Sequence, residues 1–213
     1  MNIIQSSIEI LNAPAYDTML KKIEQIGRVC YKSEDKITDG SAENFIRGII
    51  KRGHESVIEH ENITVKVICD RGVSHEIVRH RIASYSQEST RYCNYTDGKF
   101  GGQITFIDPR SGFSWDMSTE RGENLWKVWN KAMDAAEWSY RQMIKHGAKP
   151  EEARCVLPNS LKTEIVMTMN LREWRHFIRL RTSPAAHPQM QEVANMIAAE
   201  FVKRYPVFFE DCV

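Results

Sequence analysis

Between Thr119 and His146 the residues Leu125, Val128, Trp129, Ala132, Met133, Ala136, Tyr140 and Met143 recur at the steps of one α-helical face, and Gly147 follows as a stop. A stripe of that length marks a long amphipathic helix whose apolar side has to be buried. Other segments carry a different period. Ile63 to Cys69 alternates as a half-buried strand does, residues 2–11 hold several β-branched aliphatics, and Gln103 to Ile107 reads as a short strand. Leu161 to Met169 is β-compatible, with helix close behind. Shorter amphipathic helices are expected over residues 16–31, 42–52 and 189–204, and a helical turn starts at Pro150. Asp70 is placed to cap a helix that turns Val73, Ile77 and Val78 inward and ends in Arg79-His80-Arg81. Asn170, with Glu173 at the third helical position, opens another helix that runs to about Arg181. Together these segments predict an α+β fold, a mixed or antiparallel sheet flanked by long amphipathic helices. Nothing resembles a linker, so residues 1–213 are expected to form a single domain.

Composition narrows the function classes. The chain is 42% hydrophobic and 27% charged with a formal net charge of +1, which argues against affinity resting on a nucleic-acid backbone. No run approaches the roughly eighteen apolar residues that span a bilayer, and the N-terminal residues do not read as a signal peptide. Five scattered cysteines form no Cys-x-x-Cys pair, so a reducing, cytoplasmic setting without a disulfide framework or structural zinc is expected. His54 and His60 lie six residues apart rather than one helical turn, so no metal site is expected from them.

The segment Arg79 to Tyr95 does not belong to this soluble average. It holds three arginines, a histidine, four Ser/Thr hydroxyls and three tyrosines, only two aliphatic side chains, one acid and no lysine. Arginine's planar fork suits bidentate contact with phosphate, and the hydroxyls add donors. A second lysine-free cationic face follows on the Asn170 helix, where Arg172, His176 and Arg179 share one side and Arg181 sits at the end. A solvated loop with helix-capping arginines accounts for either one alone, and an oligonucleotide-binding module is the rival from another class.

The run Arg79-His80-Arg81, seven residues, then Ser89 resembles the R-H-R-x7-S signature of the flavin-dependent thymidylate synthases. Gly53-His54-Glu55-Ser56 is similar to that family's upstream segment, and Arg154-x-x-Leu157-Pro158 and Asn170-x-Arg172-x-x-x-His176-Phe177-x-x-x-Arg181 are similar to its C-terminal ones. The resemblance implies an enzyme with that family's fold that converts dUMP to dTMP. It takes carbon from methylenetetrahydrofolate and uses FAD, reduced by NADPH, as hydride source. It also implies a homotetramer with shared active sites, and no nucleic-acid or membrane partner. Carried over, His54, Ser56, Arg79, His80, Arg81, Gln87, Asn170, Arg172 and His176 resemble flavin contacts. Glu76, Arg79, Gln87, Glu88, Ser89, Arg91, Arg154 and Arg181 resemble the dUMP site, with Arg181 matching the arginine that activates uracil. Ser89 lacks a Gly-x-Ser-x-Gly elbow, which favours phosphate contact over a nucleophilic role. Glu76 and His176 replace residues found in some relatives, as does the pair Ser86-Gln87.

Overall fold

The computed structural model describes residues 1–213, except the side chain of Phe100. Its centre is a four-stranded antiparallel sheet in the order β2 (Ser7–Asn12), β3 (Asn62–Asp70), β6 (Lys162–Asn170), β4 (Ser84–Gln87). The alternation read in the sequence becomes one dry face, with Ile63, Val65, Val67 and Cys69 of β3 and Ile165, Met167 and Met169 of β6 buried. Against that face pack α1 (Tyr16–Val29), α2 (Ser41–Lys51), α6 (Leu171–Arg181), α7 (Pro188–Arg204) and the short α8 (Pro206–Phe209), through Met19, Ile23, Ile46, Trp174, Phe177, Ile197 and Phe201. Each such side chain contributes about 1.5–3 kcal/mol of burial, so this face dominates the stability.

β3 and β6 pair along their whole length, from Asn62 opposite Asn170 to Asp70 opposite Lys162. Each ends in a residue that caps the next helix. The Asp70 carboxylate accepts from Val73 N at 2.7 Å to start α3 (Arg71–Ile77), and the Asn170 side chain accepts from Glu173 N at 2.8 Å to start α6. Because the strands are antiparallel, α3 and α6 start at opposite ends of the ladder and run towards each other. At 1.5 Å per residue they advance about 10 and 16 Å along strands of about 30 Å, so their C-terminal ends meet over the sheet.

A second, smaller core lies to one side. β1 (Asn2–Ile4) pairs in parallel with β5 (Thr105–Ile107), and α4 (Glu120–Lys145) covers them with Met133 and Tyr140, beside Tyr95, Phe106 and Leu161. Thr119 caps α4 by accepting from Gly122 N at 3.1 Å. α5 (Pro150–Ala153) is the single turn expected at Pro150.

Several expectations need correcting. The opening strand is two strands, broken at Gln5-Ser6 as the chain leaves one sheet for the other. Of the α4 stripe only Met133 and Tyr140 are buried; Val128 is 71% exposed and Ala132 is also exposed, because β1 and β5 are too narrow to cover the full helix. Val78 points outward, since α3 ends before it. The polar run also contributes a strand, β4. At a sheet edge only one side of the ladder is paired, so alternating serines are tolerated while Tyr85 packs against the main core.

Candidate active site

The convergence of α3 and α6 assembles the first group. Arg181, the last residue of α6, donates from Nη1 to Glu76 Oε2 at 2.6 Å, from Nη2 to the Glu76 carbonyl at 3.0 Å, and from Nε to His80 Nε2 at 3.1 Å. His80 is buried, and its Nδ1 lies 3.0 Å from Glu173 Oε1. The Tyr85 hydroxyl donates to the carbonyls of Ile77 and His80, tying β4 to the turn after α3. Burial pushes the Tyr85 hydroxyl up to about 12, so it stays a donor. Arg79 and Arg81 flank the buried histidine and are exposed, with no carboxylate partner among the described residues. His80, Glu173 and His176 offer three ligand atoms within 4.8 Å of one another. His80 has no lone pair left for a metal ion, however, because one ring nitrogen faces a carboxylate and the other accepts from a guanidinium.

Beside this group lies a pocket of about 500 Å³ lined by Asn170, Arg172, Glu173, His176, Arg179, Glu55, Glu59 and Ile82. Asn170, Arg172 and His176 therefore share one cavity wall. Arg172 reaches Glu59 at 2.7 Å. His54 and Ser56 are exposed where the chain enters the 3-10 turn Glu55–His60, and His54 Nδ1 meets the Tyr31 hydroxyl at 2.6 Å.

A third group forms on the other side of α3. A pocket of about 430 Å³ is lined by Arg71, His75, Thr90 and Arg154 among others, and Arg154 Nη1 donates to Thr90 Oγ1 at 3.2 Å. Ser89 Oγ accepts from Arg91 N at 3.3 Å, and the Arg91 guanidinium lies 5.4 Å from the Tyr92 ring centre. Arg71 Nη1 is buried there without a partner.

Gln87 and Glu88 point in different directions. Gln87 Nε2 donates to Ser74 Oγ at 2.9 Å and Thr163 Oγ1 at 3.2 Å. Glu88 accepts from the Tyr95 hydroxyl at 2.9 Å and from Lys162 Nζ at 2.9 Å, at a separate pocket of about 530 Å³ on the open face of the sheet. One chain thus joins Glu76, His80 and Arg181, gathers Asn170, Arg172 and His176, and sets Ser89 and Arg91 beside Thr90 and Arg154, while Gln87 turns to Ser74 of α3 and Glu88 faces the open side of the sheet.

Sequence reasoning missed Glu173 as a site group, Arg71, and above all Arg175. Arg175 is fully buried, donates to the Phe208 carbonyl, and forms a two-pronged pair with Asp211 at 2.6 and 2.7 Å. Its Nε also donates to Glu55 Oε1 at 3.2 Å, and Arg179 reaches Asp211 at 2.9 Å. A signal for Arg175 existed, since positions 171, 174, 175 and 178 mark one helical face and the other three are Leu, Trp and Ile.

The family model described as thymidylate synthase complementing protein matches residues 15–207, a span that contains every site residue named from the sequence. A flavin-dependent thymidylate synthase of Pyrococcus furiosus is 36% identical over 174 residues, covering 81% of this chain and 68% of that protein. One of Geobacter sulfurreducens is 36% identical over 174 residues, covering 78% and 70%. One of Mycolicibacterium vanbaalenii is 31% identical over 207 residues, covering 89% and 78%. Among solved structures, the UMP/dUMP methylase PolB from Streptomyces cacaoi, bound with 5-Br dUMP, superposes with a TM-score of 0.82 over 99% of this chain and 96% of that one. At 24% identity that likeness speaks for the fold alone. The motif order, the architecture and the matched span agree, and the chain belongs to the flavin-dependent thymidylate synthase family.

Proposed function

We propose that the chain catalyses the reductive methylation of dUMP to dTMP, with methylenetetrahydrofolate as carbon donor and NADPH as the source of reducing equivalents through FAD. The observation that carries this reading is the Arg181 guanidinium, held by Glu76 and His80 where the two signature helices converge. A guanidinium beside the uracil ring stabilises the negative charge that develops on the imide when the ring acts as a nucleophile. Glu76 holds the same guanidinium by its side chain and by its backbone carbonyl. Ser89, Arg91 and Arg154 supply hydroxyl and guanidinium donors suited to the nucleotide phosphate.

The pocket walled by Asn170, Arg172 and His176, with Arg79 and Arg81 bearing uncompensated charge on either side of His80, whose ring meets His176, suits a ligand rich in phosphate and hydrogen-bonding edges. Those residues, with His54 and Ser56, would hold FAD, which supplies hydride when bound. Orientation of Glu88 away from Arg154 within one chain fits an active site completed by other subunits of a homotetramer, as do the exposed Val128 and Trp138 of α4. We read both cores as one domain over residues 1–213, because Phe106 bridges to Leu161 just before β6. Among the described residues no helix is long and apolar enough to cross a membrane. The free cysteines suit a cytoplasmic setting.

The purified protein should bind FAD, bleach on addition of NADPH, and release tritium from dUMP labelled at the reacting ring carbon only when the folate donor and reductant are present. A colourless protein that takes up no flavin and instead shifts oligonucleotides would overturn the reading.

A further inference from the structure

Glu173 is a buried carboxylate with two engagements. Its backbone N–H is capped by Asn170, and its side chain, at the edge of the pocket of about 500 Å³ and close to His176, makes its hydrogen bond to the His80 ring. Burying a carboxylate costs several kcal/mol unless it accepts strong hydrogen bonds, so its alignment on His80 has to be explained. The donor inventory fixes what the histidine must be. The Arg181 Nε can only donate, so His80 Nε2, 3.1 Å away, has to accept and carries no proton. Glu173 accepts, so the proton sits on Nδ1. We propose that Glu173 is a positioning residue: by holding the His80 proton on Nδ1 it keeps Nε2 as the acceptor that aims the Arg181 guanidinium. This rests on the reading of Arg181 as the group that activates uracil.

The surroundings support one protonation state. The charged and titratable groups facing the ring are Glu173, His176 and Arg181 from α6 and, through Arg181, Glu76 from α3, while Tyr85 from β4 holds the His80 backbone carbonyl. Burial holds the ring below the ordinary histidine range; the hydrogen bond to Glu173 opposes this, and the Arg181 and His176 charges add to it. The neutral ring is therefore the working form. A proton added at Nε2 would set N–H against N–H and release Arg181. The arrangement is complete above the ordinary histidine pKa and is lost as pH falls through the lowered value in the folded protein.

Two measurements on the FAD-bound enzyme test this. In protein labelled with ¹⁵N-histidine, with the His80 signal assigned by its loss in His80→Gln, the ring should carry its proton on Nδ1 near neutral pH. In Glu173→Ala it should become a mixture of tautomers. In enzyme saturated with FAD and dUMP, turnover in the tritium-release assay should fall about tenfold, the equivalent of one hydrogen bond to a charged group. The acid limb of the turnover profile should move to lower pH, because the partner that raises the ring's pKa is gone. Glu173→Gln keeps the shape, and its turnover should follow whichever tautomer its amide selects. A parent enzyme with the proton on Nε2, or full turnover in a variant whose tautomer has inverted, would overturn the proposal. If the parent releases no tritium at all, the functional reading falls, while the tautomer measurement still decides the role of Glu173.

Discussion

The two arginine-rich regions of this molecule use the same side chain in opposite ways. On α6, Arg172, Arg175, Arg179 and Arg181 are each paired with a carboxylate, from Glu59, Glu55, Asp211 or Glu76. In the run after α3 and at Arg154, none of Arg79, Arg81, Arg91 and Arg154 has a carboxylate partner among the described residues. An internally neutralised guanidinium is a mechanical part, fixing distances between elements. One left without a counter-ion carries its charge to whatever anion arrives. Residue type alone does not separate the two, and neither does exposure, since Arg172 and Arg154 are both exposed.

Loss of Arg175 should have the largest effect. Arg175→Ala removes the buried partner shared by Asp211, Glu55 and the Phe208 carbonyl, leaving Asp211 only Arg179, and should lower the unfolding free energy by about 3–5 kcal/mol in denaturant titrations. Arg154→Ala should leave that curve within about 0.5 kcal/mol of the parent. Equal losses would erase the distinction between the regions. Ranking next, Arg154→Ala should weaken dUMP binding by roughly ten- to a hundredfold in calorimetry, the equivalent of one charge-assisted contact of about 1.5–3 kcal/mol. Unchanged affinity would mean that uncompensated charge does not mark the nucleotide site. The smallest effect concerns pH. Burial alone would raise the Asp211 carboxyl, but the hydrogen bond and charge of Arg175 hold it below the usual carboxylate range. Its contribution is therefore full above the ordinary aspartate pKa and fades as pH falls through the lower folded value. Asp211→Asn should make the acid-side fall in thermal stability shallower, and an unchanged slope would place that sensitivity elsewhere.

Much of the frame was legible because it depends on short-range pattern. The alternation of β3 and β6 and the caps Asp70 and Asn170 are visible within a few residues. What escaped depends on partners far along the chain. Arg175 reads as a surface charge until Asp211, 36 residues on, comes into contact, and Asp211 lies beyond the span that the family model matches. Glu88 reads as a nucleotide contact, and its pairing with Lys162, 74 residues away, does not show in the sequence. The α4 stripe suggested burial, yet helical period reports which side is apolar and not how wide a surface is available to cover it. The aim of Arg181 was invisible for the same reason: it is set by groups on α3 and in the turn after it, 101 and 105 positions earlier.

The capped ladder of β3 and β6 has a consequence for tolerance to insertion. The separation of Glu76 from Arg181 is set by nine consecutive strand pairs and two helix starts, with no loop in the path between them. Residues can be added at 96–104, 109–118 or 182–187 without altering that measure, whereas deleting a single residue within residues 63–69 would slip the register and turn the inward side chains of β3 on one side of the deletion outward. The working dimension of the site is recorded in hydrogen-bond register, and chain length elsewhere is free to vary.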